Sequence, residues 1–148
     1  MVARQFELAA QLAEVPRLVG WIGSCCAAAG LDEDAIFRLT LAVEEAVVNV
    51  IAHGLAGLPS PPPITVRLVI TGRSVAVEII DAGPSFDPTS APDPDLSLSL
   101  DDRSPGGLGI HLMRRMVDRL RYRRRAGRNI LRLESDRQHL ARRRRPNS

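Results

Sequence analysis

Between Ile64 and Ile79 the apolar residues fall at every second position, Ile64-Val66-Leu68-Ile70 and then Val75-Val77-Ile79, with Thr71-Gly72-Arg73 between the two runs. Successive side chains of an extended strand point to opposite faces, so a period of two demands a half-buried sheet, and the short break makes the two runs a β-hairpin. A chain built on such a hairpin must supply an apolar layer to cover its inner face.

Helices able to supply that layer are legible on either side. Val15 to Ala29 reads as a helix, with Pro16 in its first turn and Gly30 as its stop. Asp32 is placed to cap a second helix, and Glu33 and Asp34 suit its positive end. Ile36, Leu39, Val43, Ala46, Val47 and Val50 recur at helical spacing toward His53, and Gly54 stops the run. Phe6, Leu8 and Leu12 alternate weakly and suggest a short strand before the helices. Leu108 to Val117 reads as a helix entered through glycines, Leu120 to Arg124 and Ile130 to Leu133 as strands, and Ala126 to Asn129 as the turn joining them. The order predicts an α+β fold, a two-layer α/β sandwich with helices on one face of a mixed, mostly antiparallel sheet.

With 148 residues, 45% of them hydrophobic, the chain is sized for one domain, placed at 1–135. The formal charge of +3 resides in the tail: removing Arg142 to Arg145 from the 20 basic residues leaves 16 against 17 acidic. Residues 136–148 are therefore expected to be a basic, disordered tail on a near-neutral body, and direct nucleic-acid binding is not expected. No apolar run reaches membrane-spanning length, and Arg4, Glu7 and Glu14 interrupt any signal-like start, so a cytoplasmic protein without a membrane partner is expected. Cys25 and Cys26 are adjacent, which suits two reduced thiols rather than a disulfide.

All 20 basic residues are arginine. Without lysine there is no Walker-A phosphate loop and no Schiff-base chemistry, so a nucleotide would have to be held by other means. Three features could do so. Glu45 and Asn49, four residues apart, form a polar ridge beside the apolar stripe of the second helix, while Glu44 points away. A carboxylate and an amide so placed suit hydroxyl activation and a hard cation such as Mg²⁺, although alone they also fit a solvated helix face. Asp81 ends an apolar strand, where a buried carboxylate needs a partner such as an exocyclic amine, and Gly83 permits close approach of a ligand. Gly106, Gly107 and Gly109 open a helix whose free N–H groups favour anions. Between these last two features, the five prolines from Pro84 to Pro105 rule out regular structure, and 84–105 is read as a lid.

Taken together and in this order, the motifs resemble those of the GHKL (Bergerat-fold) ATPase superfamily. Glu45-Ala46-Val47-Val48-Asn49 is similar to its N-box, Asp81-Ala82-Gly83-Pro84-Ser85-Phe86 to its first glycine box, and Gly106-Gly107-Leu108-Gly109-Ile110 to its second. The His53-Gly54 ending, the Phe86-Asp87-Pro88 extension and Tyr122 to Arg125 resemble most the bacterial anti-sigma-factor serine/threonine kinases. That resemblance implies binding of ATP and Mg²⁺, a homodimer, and two partners, a sigma factor and an anti-sigma-factor antagonist that is phosphorylated on serine or threonine. It implies Glu45 as catalytic base, Asn49 as Mg²⁺ ligand and Asp81 as adenine anchor. His53, Gly83, Phe86, Gly106, Gly107, Leu108, Gly109 and Asn129 complete the implied nucleotide site, and Arg103 is assigned to the terminal phosphate as the lid's one basic residue. Against the family pattern, the lid is acidic and Arg128 stands where a second glycine is common. The alternatives are a non-catalytic ATP-binding regulatory module and a catalytic-domain fragment of a histidine kinase; the latter needs a free acceptor among His53, His111 and His139.

Overall fold

The computed structural model describes residues 1–90 and 107–142. Strand β1 (Val2–Leu8) leads through a 3-10 turn at Leu12–Glu14 into α1 (Val15–Ala28) and α2 (Glu33–Asn49), and a π turn at Val50–Gly54 continues α2. The hairpin β2 (Ile64–Ile70) and β3 (Ser74–Asp81) follows, then α3 (Gly107–Met116), β4 (Arg119–Arg125), β5 (Arg128–Asp136) and α4 (Arg137–Arg142). The five strands form one sheet in the order β1-β2-β3-β5-β4, and each neighbouring pair is antiparallel. The α+β sandwich expected from the motif order is thus present, with its sheet antiparallel throughout the described strands.

The local chemistry explains the element ends. Asp32 accepts a hydrogen bond from Ala35 N at 2.8 Å and caps α2, while Gly30, at φ 84°, ends α1 with a conformation that other residues adopt at a cost. Alternation then sorts the sheet: Ile64, Val66 and Leu68 on β2, Val75, Val77 and Ile79 on β3 and Leu131 and Leu133 on β5 are buried toward Leu18, Ile22, Leu39, Val43 and Val47 of the helices. Each such side chain removed from water contributes about 1.5–3 kcal/mol. Leu12, expected with Phe6 and Leu8 in the first strand, lies instead in the 3-10 turn and is exposed.

The region expected to be a disordered tail is ordered over its first part. Asp136 is the last residue of β5 and 137–142 is helical, because Arg137 ties the chain down: its guanidinium donates to Thr71 O at 3.0 Å and Ala29 O at 2.9 Å, and its N–H donates to Arg73 O. Of the expected lid, 84–90 is described and contains a 3-10 turn at Pro88–Ser90; Arg103 and Gly106 lie outside the described residues. Among the described residues no helix is long and apolar enough to cross a membrane.

Candidate nucleotide site

Helix α2 presents Glu45 half-buried and Asn49 buried on one ridge, with Glu44 exposed, as the spacing implied. The start of α3 is packed against that ridge. A Cβ placed on Gly109 would lie 3.0 Å from Glu45 Oε2 and 3.2 Å from Asn49 Nδ2, so only glycine admits this approach without displacing the two side chains. The helix mouth and the carboxylate–amide pair therefore share one place in the fold. Asn49 Nδ2 is fully buried there without a hydrogen-bond partner. A buried amide left unpaired is costly, and rotating it exchanges nitrogen for oxygen. This orphaned amide, beside a carboxylate at a helix N-terminus, is a donor set that fits a hard cation carrying phosphate oxygens.

Asp81 closes β3 on the helix-facing side and is only 4% exposed. Its Oδ1 accepts from Gly83 N at 2.9 Å and from Asn129 Nδ2 at 3.0 Å. Among the described residues its Oδ2 has no protein donor, which leaves one oxygen for a ligand. Gly83 is buried against the end of the π turn: a Cβ there would meet Leu55 Cδ2 at 2.5 Å and Asp81 Oδ1 at 3.0 Å. Phe86 packs on Gly54 in the same turn, where a Cβ would meet its Cδ1 at 3.0 Å. The segment from Glu45 to Leu55 thus carries both contacts, with Gly109 at one end and Gly83 at the other.

Asn129, expected among the nucleotide-binding residues, is committed to the protein. Besides Asp81, its Nδ2 donates to Pro84 O at 2.8 Å, and its Oδ1 accepts from Tyr122 Oη at 2.5 Å and Arg124 Nη1 at 2.9 Å. Arg124 Nη1 also donates to Gly83 O at 3.0 Å. Asn129, Tyr122 and Arg124 form a bracket that holds the carboxylate and the glycine turn in place. The roles of Tyr122 and Arg124 were not read from the sequence; the register across the tight turn at Ala126 and Gly127, which pairs Arg124 with Asn129, is the signal that places them there. His53 lies exposed in the π turn and makes no hydrogen bond to this cluster. Gly107 begins α3 and Leu108 follows it in the backbone of the helix.

Comparison with known proteins agrees with this arrangement. A family model described as "Histidine kinase-like ATPase domain" matches residues 8–135. The serine/threonine-protein kinase BtrW of Bordetella bronchiseptica is 44% identical over 100 residues, 67% of this chain and 69% of BtrW. The crystal structure of the RsbU and RsbW domains of Rv1364c from Mycobacterium tuberculosis aligns over 91% of this chain with a TM-score of 0.64 at 20% identity, a likeness of fold. The chain spans 32% of that structure's length. With its fold, its glycine-lined helix mouth and a family match over residues 8–135, the chain belongs to the histidine kinase-like ATPase domain family.

Proposed function

We propose that the protein is an ATP-dependent serine/threonine kinase that binds a sigma factor and phosphorylates an anti-sigma-factor antagonist. The observation that carries this reading is the seating of Gly109 between Glu45 Oε2 and the unpartnered amide of Asn49. The closeness of this carboxylate, this amide and an anion-favouring helix start supports Glu45 as proton acceptor and Asn49 as cation ligand. The kinase identity of BtrW supports the same reaction, and the motif resemblance to anti-sigma-factor kinases supports the partners.

Asp81 and the Gly83 turn would hold the adenine end, Asn49 would hold Mg²⁺, and the N–H groups at the start of α3 would meet the phosphates. Mg²⁺, when bound, neutralises charge on the transferred phosphoryl group. Glu45 accepts the proton of the attacking seryl or threonyl hydroxyl as its oxygen bonds to the γ-phosphorus and the bond to the bridging oxygen of ADP breaks. A homodimer formed along the edge strand β1 is consistent with the exposed Val2 and Leu12.

The test is transfer of labelled γ-phosphate from ATP to a co-purified antagonist domain. Phosphorylation by the native chain and its loss in Glu45→Ala are expected. An antagonist that binds the ATP-loaded protein yet is never labelled removes the kinase assignment and leaves a regulatory ATP-binding module.

A further inference from the structure

The face of the sheet turned away from the helices has an unusual charge pattern. Leu120 and Tyr122 of β4 pack on the core, so the alternation sends Arg119, Arg121, Arg123 and Arg125 to the other side in a row along the sheet's edge. At the rise of an extended strand they stand about 7 Å apart. Arg119 is neutralised by Glu134 and Asp136 at 2.7 and 2.8 Å, and Arg132 bonds Glu134 at 3.0 Å. Glu78, only 6% exposed, sits in the middle of the face with Arg67 at 3.1 Å and Arg123 and Arg132 at 3.7 Å. Among the described residues, exposed Arg121, Arg125 and Arg128 have no acidic partner.

Two hollows open on this face. One, of about 350 Å³, is lined by Glu78, Arg121, Tyr122, Arg123, Ile130 and Arg132, and the other, of about 300 Å³, has Arg128, Thr65 and Ile80 in its lining together with the acidic Glu7 and Asp81, so the unopposed positive charge lies toward β4. Ile80 pairs with Ile130 across β3 and β5, so their floors adjoin at two aliphatic side chains.

We propose that this face docks an acidic, extended polypeptide segment, with carboxylates on Arg121, Arg125 and Arg128 and aliphatic side chains over Ile80 and Ile130. Arginine forks suit carboxylates, and charge complementarity selects the partner. A single-stranded nucleic acid fits less well, because sheet surfaces that bind it use aromatic platforms. None of the five aromatic residues offers a free ring face here: Tyr122 borders the first hollow but packs its ring on the core and bonds Asn129, Phe86 packs at Gly54, Phe6 packs on Trp21, and Phe37 lies on α2. A second copy of this chain would bring the same unpaired arginines together across a two-fold axis. Glu45, Asn49 and Gly109 lie on the helix side of the sheet, whereas Asp81 also borders the second hollow, so the peptide is tested without added nucleotide.

The test is fluorescence anisotropy at low salt with three probes: a short labelled peptide of alternating glutamate and valine, its glutamine-for-glutamate analogue, and a single-stranded oligonucleotide of equal length. The acidic peptide is expected to bind at least about tenfold more tightly than either other probe, and to weaken as salt rises. Arg121→Glu/Arg128→Glu should reduce that affinity by about tenfold or more, whereas Arg17→Glu/Arg73→Glu, an equal charge change elsewhere, should leave it within about twofold. Arg121→Gln/Arg128→Gln, a milder change less exposed to folding failure, should show an intermediate loss. Equal loss in the two glutamate variants, no loss in the glutamine variant, no preference over the neutral analogue, or tighter binding of the oligonucleotide overturns the proposal.

Discussion

Asn129 on β5 donates to Asp81 Oδ1 at 3.0 Å and to the Pro84 carbonyl at 2.8 Å, so one amide holds both the carboxylate that ends β3 and the first residues of the segment leaving it. Removing it leaves buried acceptors unpaired. Asn129→Ala should cost about 2 kcal/mol in urea unfolding and weaken ATP binding about tenfold by calorimetry. Asn129→Asp should cost more, since it sets a second carboxylate against Asp81.

Glu45→Gln preserves the shape beside Gly109 but removes the proton acceptor. Phosphotransfer should fall by about 10²–10⁴-fold while ATP affinity changes by less than about threefold, read by single-turnover labelling and equilibrium binding. Equal losses in both quantities would assign Glu45 to binding instead.

Gly83→Ala places a methyl 2.5 Å from Leu55 Cδ2 and 3.0 Å from Asp81 Oδ1. The overlap should destabilise the fold by about 1–3 kcal/mol. Adding Leu55→Ala opens space for the methyl, so the double variant should be more stable than the sum of the single effects. A chemical-denaturation double-mutant cycle measures the coupling, and strict additivity would contradict the contact.

Burial opposes ionisation of Glu134, yet hydrogen bonds from Arg119 and Arg132 outweigh it and hold this carboxyl below its ordinary range; the Arg119 hydrogen bond does the same to Asp136. Because the folded-state values lie below the unfolded ones, the stabilisation is present above the usual carboxylate range and is lost as pH falls through the lowered values. Stability should therefore decline as pH drops below about 4, and Arg119→Leu should flatten that decline in denaturation curves recorded against pH.

Ala126 has φ 51° and Gly127 φ 73° in the turn between β4 and β5, the pattern of a turn that favours Asn-Gly. Ala126→Asn should stabilise the protein by about 0.5–1 kcal/mol, seen as a raised urea midpoint with unchanged slope.

The fold was legible wherever one periodicity ruled: the hairpin, the Asp32 cap and the apolar stripe of α2 all stand where their spacing put them. Glu45 and Asn49 were legible for the same reason, since four-residue spacing fixes a shared face whatever surrounds the helix. Partners supplied by distant strands were not. The strand of Glu78 reads simply as apolar, and the burial of this carboxylate depends on Arg67, Arg123 and Arg132, reached from three other strands. Asn129 is legible as the end of a turn and, through the resemblance, as part of the nucleotide site, but not as the partner of Asp81, which is 48 positions away. The tail's charge suggested a solvated end, but the bonds of a single residue, Arg137, to two remote carbonyls order its beginning.

The π turn gives the chain between Asn49 and Leu55 a length requirement rather than a strict side-chain requirement. Leu55 N bonds back to Val50 O at 2.8 Å, so one residue more than a regular turn is accommodated before the chain reaches the contact with Gly83. Deleting any one residue from 51–54 would let the helix close regularly and swing Leu55 by about 100° around the axis. Homologous sequences should accordingly vary in identity at exposed Ala52 while keeping the same number of residues between the amide at 49 and the leucine at 55.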